Sequence, residues 1–289
     1  MTTTTTSLTP FNLVNGRYYK RDDLHTGGGG TNGGKLRSCQ VMVGDMLADG
    51  ATAIITAASV HSPQHAIVAN VCAAAGIPSY HVVGGTKPAA AMRWPTVSSA
   101  VAAGGRMHYA RAGYNSVIQH AAARLAGMVR GAQVLPFGIA PPAGAPASAI
   151  LRMARATGGQ VNGLPADVRT LVVPVGSGNS AIGIAEGLAR TGRHDVRMVL
   201  VEVGPTRQQW VTQRAAAAGI ALPALTWVNL EALGFAKYHD KMPETVDGVA
   251  LHPTYEGKVV RYLNTVKPAW WTDRDGTTCL WIVGGALLV

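Results

Sequence analysis

Two glycine-rich segments of this 289-residue chain carry residue types at spacings that can do chemistry. Gly176-Ser177-Gly178-Asn179-Ser180 follows the apolar run LVVPV and precedes AIGIAEGLA, so it reads as a turn from strand to helix. Glycines there let backbone amides converge on an oxyanion, and the start of the helix adds a favourable potential for a phosphate. The spacing departs from the GxxxxGK(S/T) of a nucleotide loop, which leaves one small phosphomonoester as the better fit. The second segment, TGGGGTNGGKLRS, carries Lys35 at the mouth of a helix. A lysine brought close to a ligand and partly stripped of water is a neutral amine able to form a Schiff base. A generic tight turn and a solvated surface lysine are the plain alternatives.

The elements that must position these groups follow from the hydrophobic pattern. Short β-branched runs alternate with alanine-rich stretches, which predicts an α/β fold of mostly parallel sheets flanked by helices. Strands are expected at 52–57, 79–83, 133–137, 170–175, 196–203 and 278–283, and helices at 36–48, 63–75, 116–130, 145–157, 180–190 and 207–218. The proline-rich segment 136–146, PFGIAPPAGAP, cannot be helix or central strand, because proline lacks the amide donor and its ring clashes. It reads as a crossing between two lobes: residues 1–49 with 143–289 as a large one, and residues 50–142 as a small basic one.

Composition narrows the function classes. With 47% hydrophobic and 14% charged residues the bulk of the chain is not disordered. No apolar run approaches the roughly 20 residues of a bilayer-spanning helix, and MTTTTTSLTP has neither the basic nor the apolar region of a signal peptide, so a cytoplasmic protein is expected. Cys39, Cys72 and Cys279 are too scattered for a disulfide framework or zinc site and are expected as buried thiols. His65, His81, His108, His120, His194 and His239 show no metal-ligand spacing. Trp270 and Trp271 read as a hydrophobic cover before a base-stacking platform. The net charge is +10, and residues 50–166 contain no carboxylate where average usage supplies about 14. The same stretch holds Lys87, Arg93, Arg106, Arg111, Arg124, Arg130, Arg152 and Arg155. Such a field attracts polyanions, which points to nucleic acid as a partner; compositional drift towards Ala, Gly and Arg is the alternative.

KRDDL (residues 20–24) followed by GGKLR (33–37) resembles the opening of the fold-type II pyridoxal-phosphate enzymes, the tryptophan synthase beta-like superfamily. The likeness is to its D-cysteine desulfhydrase and 1-aminocyclopropane-1-carboxylate deaminase branch. ASVHSPQHAIVA (58–69), the PxGxxxPxG of 136–144, GSGNS, HPTYEGK (252–258) and LWIVGG (280–285) match further motifs in the same order. The resemblance implies a two-lobed fold, a homodimer, and pyridoxal 5'-phosphate held by Lys35, which also acts on the α-carbon proton. It implies that Gly176, Ser177, Gly178, Asn179 and Ser180 bind the cofactor phosphate and that Glu256 approaches the pyridine nitrogen. It further implies that Ser59 and the region of His61 meet the substrate carboxylate, and that Tyr255 faces the ring as an acid/base or stacking group.

Departures from the pattern bear on the substrate. Val60 stands where the family has asparagine, His252 where it has aspartate, and Ala147-Ser148 where Gly-Tyr is common. The stretch between Tyr238 and Leu251 is too short for the family's usual helix, which implies a more open cleft on that side. Three functions follow: a lyase or deaminase acting at the α-carbon of a free amino acid; a decarboxylase or lyase acting on an amino acid attached to a DNA base, with DNA bound by the small domain; and a scaffold kept for binding with catalysis lost.

Overall fold

The computed structural model describes residues 7–142 and 144–284. The threonines at 2–6 and Gly285, the last residue of the closing motif, lie outside the described residues. Strands β1 (Phe11–Val14) and β2 (Arg17–Arg21) pair antiparallel across Asn15-Gly16, whose φ values of 48° and 73° are those of a tight hairpin turn. Next come α1 (Gly33–Ala48), β3 (Ala53–Ser59), α2 (Gln64–Ala74), β4 (Ser79–Gly84), α3 (Pro88–Ala91), α4 (Pro95–Ala102), β5 (Arg106–Ala110), α5 (Asn115–Met128) and β6 (Ala132–Val134). The chain continues through α6 (Ala147–Gly158), β7 (Thr170–Val175), α7 (Asn179–Arg190), β8 (Arg197–Glu202), α8 (Gln208–Ala217) and β9 (Leu225–Asn229). It closes with β10 (Glu244–Val246), β11 (Val249–Leu251), α9 (Glu256–Val266), α10 (Ala269–Thr272) and β12 (Thr278–Ile282).

The chain divides into two compact units, one from His25 to Gly144, the other joining the residues up to Leu24 to Ala145–Gly284. In the first, a parallel sheet runs in the order β5-β4-β3-β6. Both faces of β3 are covered, so Ala53–Ser59 is apolar almost throughout. Ile54 packs with Leu36, Cys39, Val43, Ile67 and Val68 of α1 and α2, and its neighbour Ile55 packs on the other face with Ile118, Ala122 and Leu125 of α5. Residues 25–49 were expected with the large lobe but belong with the four-stranded sheet, because α1 buries its apolar side against α2 and β3. The shift in composition after residue 49 carries no trace of that packing.

The other unit holds a six-stranded sheet, β1-β2-β12-β7-β8-β9, parallel except at the hairpin. Leu171, Val173 and Val175 of β7 pack against Ile182, Ile184, Leu188 and Val211, while Val172 faces Val259, Val260, Leu263 and Trp271. The expected strand at 170–175 and helices at 145–157, 180–190 and 207–218 agree with β7, α6, α7 and α8 within two residues. Edge strands β5 and β9 were not expected, since one exposed side gives them mixed polarity. Between Tyr238 and Leu251 the β10–β11 hairpin stands in place of a helix.

Trp271 is buried under the Arg17 guanidinium, 3.3 Å from its ring centroid, and donates to Asn264 Oδ1 at 2.9 Å, which makes it core cover. Cys39, Cys72 and Cys279 are buried free thiols, pushed up in pKa by burial. Among the described residues no helix is long and apolar enough to cross a membrane, and no cluster of His, Cys, Asp and Glu is arranged to hold a metal.

His65 and His81 are fully buried in the four-stranded unit, their rings 5.6 Å apart. His65 Nε2 donates to the Ala58 carbonyl at 3.2 Å, and desolvation pushes its pKa down to about 4. The unfolded chain therefore takes up a proton on His65 between pH 6.5 and 4 that the folded one refuses, so this contribution is complete above pH 6.5 and lost as pH falls. Urea denaturation of wild type and His65→Gln should show the wild-type advantage shrinking by about 3 kcal/mol between pH 7 and 4; a constant difference would contradict the assignment.

Candidate active site

Within the six-stranded unit, β7 delivers the GSGNS turn at its carboxyl end, the ligand-binding end of a parallel sheet. Gly178 is the residue before α7, at φ 88°, and no side chain caps the helix. The first internal bond runs from Ile182 N–H to the Gly178 carbonyl, so the amides of residues 179–181 precede the helical ladder and are oriented for an anion. Both glycines are enforced by neighbours. A Cβ on Gly178 would lie 2.6 Å from Val211 and 3.1 Å from Trp210, and one on Gly176 would lie 2.8 Å from the Tyr255 ring. Arg207 Nε donates to the Gly176 carbonyl at 3.3 Å from behind the turn, while its own amide is held by Glu202.

Tyr255 and Glu256 begin α9 beside this turn. The Tyr255 hydroxyl lies 3.4 Å from that of Tyr238, and its ring is 5.0 Å from the His252 imidazole. Burial raises the Tyr255 pKa, so the phenol keeps its proton at neutral pH. Glu256 is fully buried. Its Oε1 accepts the Val283 amide at 2.7 Å, just past β12, and its Oε2 has no hydrogen-bond partner among the described residues. Desolvation pushes its pKa up to about 8, and the Asp23 carboxylate adds to the rise. Gly257 leaves no space for a side chain against the Met242 carbonyl. Lys258 is buried and donates to the carbonyls of Lys237 at 2.6 Å and Tyr238 at 2.9 Å, bracing the segment that carries Tyr238.

The remaining expected residues lie in the four-stranded unit. Lys35 is half-buried in the first turn of α1, after Gly33 at φ 84°. The glycine tract before it presses on α2 and α4: a Cβ on Gly28 or Gly29 would meet Asn70 at 2.6 Å, and Ser99 donates to the Gly29 carbonyl at 3.1 Å. Ser59 ends β3, and its carbonyl accepts the Ser62 amide at 3.0 Å, closing a turn that leaves His61 exposed with its ring edge-on to Trp94 at 4.2 Å. Val60 is 3% exposed, packed with Val83, Ala91 and Val97, so this position presents no polar group.

Residues 3–252 match the family model described as pyridoxal-phosphate dependent enzyme. The chain belongs to that family. The matched region ends before Tyr255, Glu256 and β12. A curated relative, the O-seryl-dTMP PLP-dependent decarboxylase of Salmonella phage ViI, is 26% identical over 331 residues, covering 92% of this chain and 77% of the relative. The crystal structure of an ACC deaminase homologue superposes with a TM-score of 0.73 at 23% identity, covering 97% of this chain and 90% of the other. Threonine deaminase isoform 2 from Solanum lycopersicum gives 0.63 at 14% identity, covering 97% and 84%. These two likenesses show the fold.

A pyridoxal-phosphate enzyme needs an anion cradle and a partner for the pyridine nitrogen, and the six-stranded unit has groups of both kinds close to one another. The uncapped start of α7 suits a phosphate monoester. The unpartnered Oε2 suits a protonated ring nitrogen: a buried carboxyl with unmet acceptor capacity is costly until a donor arrives, and a cationic donor also restores its ionised form. When bound, the cofactor supplies an electron sink at the substrate α-carbon. Two residues here were not singled out from sequence. Tyr238 meets Tyr255, with no local signal to mark it. Gln64, a buried polar residue opening an apolar helix, donates to Thr56 at 2.7 Å and accepts the Gly138 amide at 2.9 Å, tying α2 to the crossing segment.

Gly178→Ala should cost about 1–2 kcal/mol from its positive φ alone, and the collision with Val211 displaces the turn. The variant should melt lower and bind pyridoxal phosphate more weakly in a fluorescence titration; wild-type affinity would refute the cradle. For Glu256, the raised folded pKa means that its stabilising contribution to cofactor-free protein is complete below pH 4.5 and lost as pH rises through about 8. Urea denaturation of cofactor-free protein should therefore show Glu256→Gln gaining on wild type as pH climbs from 5 to 9. The same variant should bind cofactor about 10- to 100-fold more weakly, the loss of a charged hydrogen bond.

Proposed function

We propose that this pyridoxal-phosphate enzyme decarboxylates an amino acid carried, through its side chain, on a deoxynucleotide or DNA base. The observation that carries the reading is the relative whose printed name is O-seryl-dTMP PLP-dependent decarboxylase, which aligns over 92% of the chain. Attachment through a side-chain oxygen leaves the α-amino and α-carboxylate groups available, as this chemistry requires. The carboxylate-free stretch 50–166 adds an attraction for a polyanionic carrier.

The residues take the following parts. Lys35 anchors the cofactor and moves the proton at the α-carbon. The amides of Gly176–Ser180 bind the phosphate, and Glu256 holds the proton on the ring nitrogen. Tyr255, protonated and hydrogen-bonded to Tyr238, stands as a proton donor. Ser59 and the turn that exposes His61 orient the substrate carboxylate. In the reaction the bond from the α-carbon to the carboxylate breaks, its electron pair stays with the α-carbon, carbon dioxide leaves, and one proton is returned in its place. A second reading, deamination or β-elimination of a free amino acid, is favoured by the KRDDL and TYEGK motifs.

Holoenzyme given carboxyl-labelled O-seryl deoxynucleotide should release labelled carbon dioxide and retain the amine. Release of ammonia and a keto acid from free amino acids, with no labelled carbon dioxide, would overturn the decarboxylase reading and establish the second. Lys35→Ala should remove both turnover and the cofactor absorption near the visible edge.

A further inference from the structure

We propose that the groove between β5 and α5 of the four-stranded unit is the docking surface for the DNA strand that carries the substrate. The proposal deepens the nucleic-acid reading above and rests on it. The groove, about 180 Å³, has an apolar floor that includes Val82, Ala110 and Leu125, and its wall includes His108, Arg124 and Met128. Met128 is 71% exposed, an apolar side chain without cover. Strand β5 is the edge of its sheet. On it Arg106 donates to the Tyr80 hydroxyl at 2.8 Å with its guanidinium 5.3 Å from the ring centroid, and the His108 ring stands 6.1 Å from the same tyrosine. Arg106, Tyr80, His108 and Arg124 thus set cations beside a flat aromatic face and an apolar slot. That combination accepts phosphates on the arginines and a base on the apolar groove floor, with the partly buried Tyr80 holding the Arg106 guanidinium in place.

The two units differ in how their cations are partnered. In the six-stranded unit Arg155, Arg169, Arg190, Arg193, Arg261 and Arg274 each pair with a carboxylate. In the four-stranded unit Lys87, Arg93, Arg106, Arg111, Arg124 and Arg130 are all exposed, and residues 50–142 contain no Asp or Glu to pair with them. An arginine on an edge strand also discourages strand addition. That role accounts for Arg106 alone, and leaves Arg124, the uncovered Met128 and the missing carboxylates without a cause.

The test measures binding of a fluorescein-labelled single-stranded oligodeoxynucleotide to holoenzyme by anisotropy across a salt series. Wild type should bind at low salt. Arg106→Gln/Arg124→Gln should bind about tenfold more weakly, with the slope of log affinity on log salt reduced by about 1.4, two released counterions fewer. Arg106→Lys/Arg124→Lys should restore the slope, and an unchanged melting temperature checks that the exposed substitutions leave the fold intact. Independently, photocrosslinking of oligonucleotide containing 4-thiothymidine should map to residues 106–128. Wild-type affinity and slope in the glutamine variant, or crosslinks confined to residues 147–284, would refute this surface while leaving the nucleic-acid reading standing. A wild-type enzyme that decarboxylates the nucleotide-linked amino acid yet binds no oligonucleotide at low salt would refute the docking surface and fix the substrate as a mononucleotide.

Discussion

A carboxyl group with one oxygen satisfied and the other waiting is the constraint around which the six-stranded unit is organised. Glu256 is sealed from solvent, tied by Oε1 to the Val283 amide, and its Oε2 has no hydrogen-bond partner among the described residues. Burial on these terms is unfavourable for an ionised carboxylate, so the group stays protonated to about pH 8 until a cationic donor pairs with it. Its neighbours keep it in place. Gly257 lets α9 start against the Met242 carbonyl, Lys258 braces the segment carrying Tyr238, and the Tyr255 ring fills the space that a side chain on Gly176 would take. The turn that suits a phosphate and the carboxyl that suits a pyridinium are thus coupled through one tyrosine ring.

Several residues whose types suggest chemistry act as structural braces. Lys20 is fully buried, donating to Gln160 at 3.1 Å, and Asp22 accepts from the Trp281 indole at 3.1 Å and from Thr9 at 2.9 Å. The KRDDL motif therefore ties β2 to β12 and to the segment after α6. Lys258 of the TYEGK motif has the same character. Burying a charged group is costly unless it is hydrogen-bonded, and these networks supply bonds to Lys20, Asp22 and Lys258. Glu256 Oε2, like Arg17 Nε and Glu186 Oε2, has no hydrogen-bond partner among the described residues, and it differs from those two in lying beside the glycine turn after β7.

The two units treat charge differently, and that contrast bears on the substrate. In one, Arg155, Arg169, Arg190, Arg193, Arg261 and Arg274 pair with carboxylates. The other exposes Arg93, Arg106, Arg111, Arg124 and Arg130, with no carboxylate in residues 50–142, around an edge strand and an uncovered methionine. A field of one sign attracts polyanions, and that is the support it lends to the proposed nucleic-acid-linked substrate. The buried Val60 bears on the cofactor side of the same question, since it presents only hydrocarbon where the family places an amide.

By itself the amino-acid sequence determined the alternation of strands and helices, the glycine turn between β7 and α7, the lysine-bearing helix start and the carboxylate-free stretch. Each leaves a local trace: strands covered on both faces read as unbroken apolar runs, and the positive φ at Gly178 calls for glycine, although Val211, Trp210 and Tyr255 also enforce the glycines of that turn. Sequence patterns did not reveal that residues 25–49 pack with the four-stranded sheet, since Leu36, Cys39 and Val43 would suit any apolar partner. Nor did they show Tyr238 beside Tyr255, Gln64 bridging to Gly138, or His65 and His81 held neutral in the core. Those properties come from desolvation and from groups far apart in the chain meeting in space, which only the tertiary structure decides.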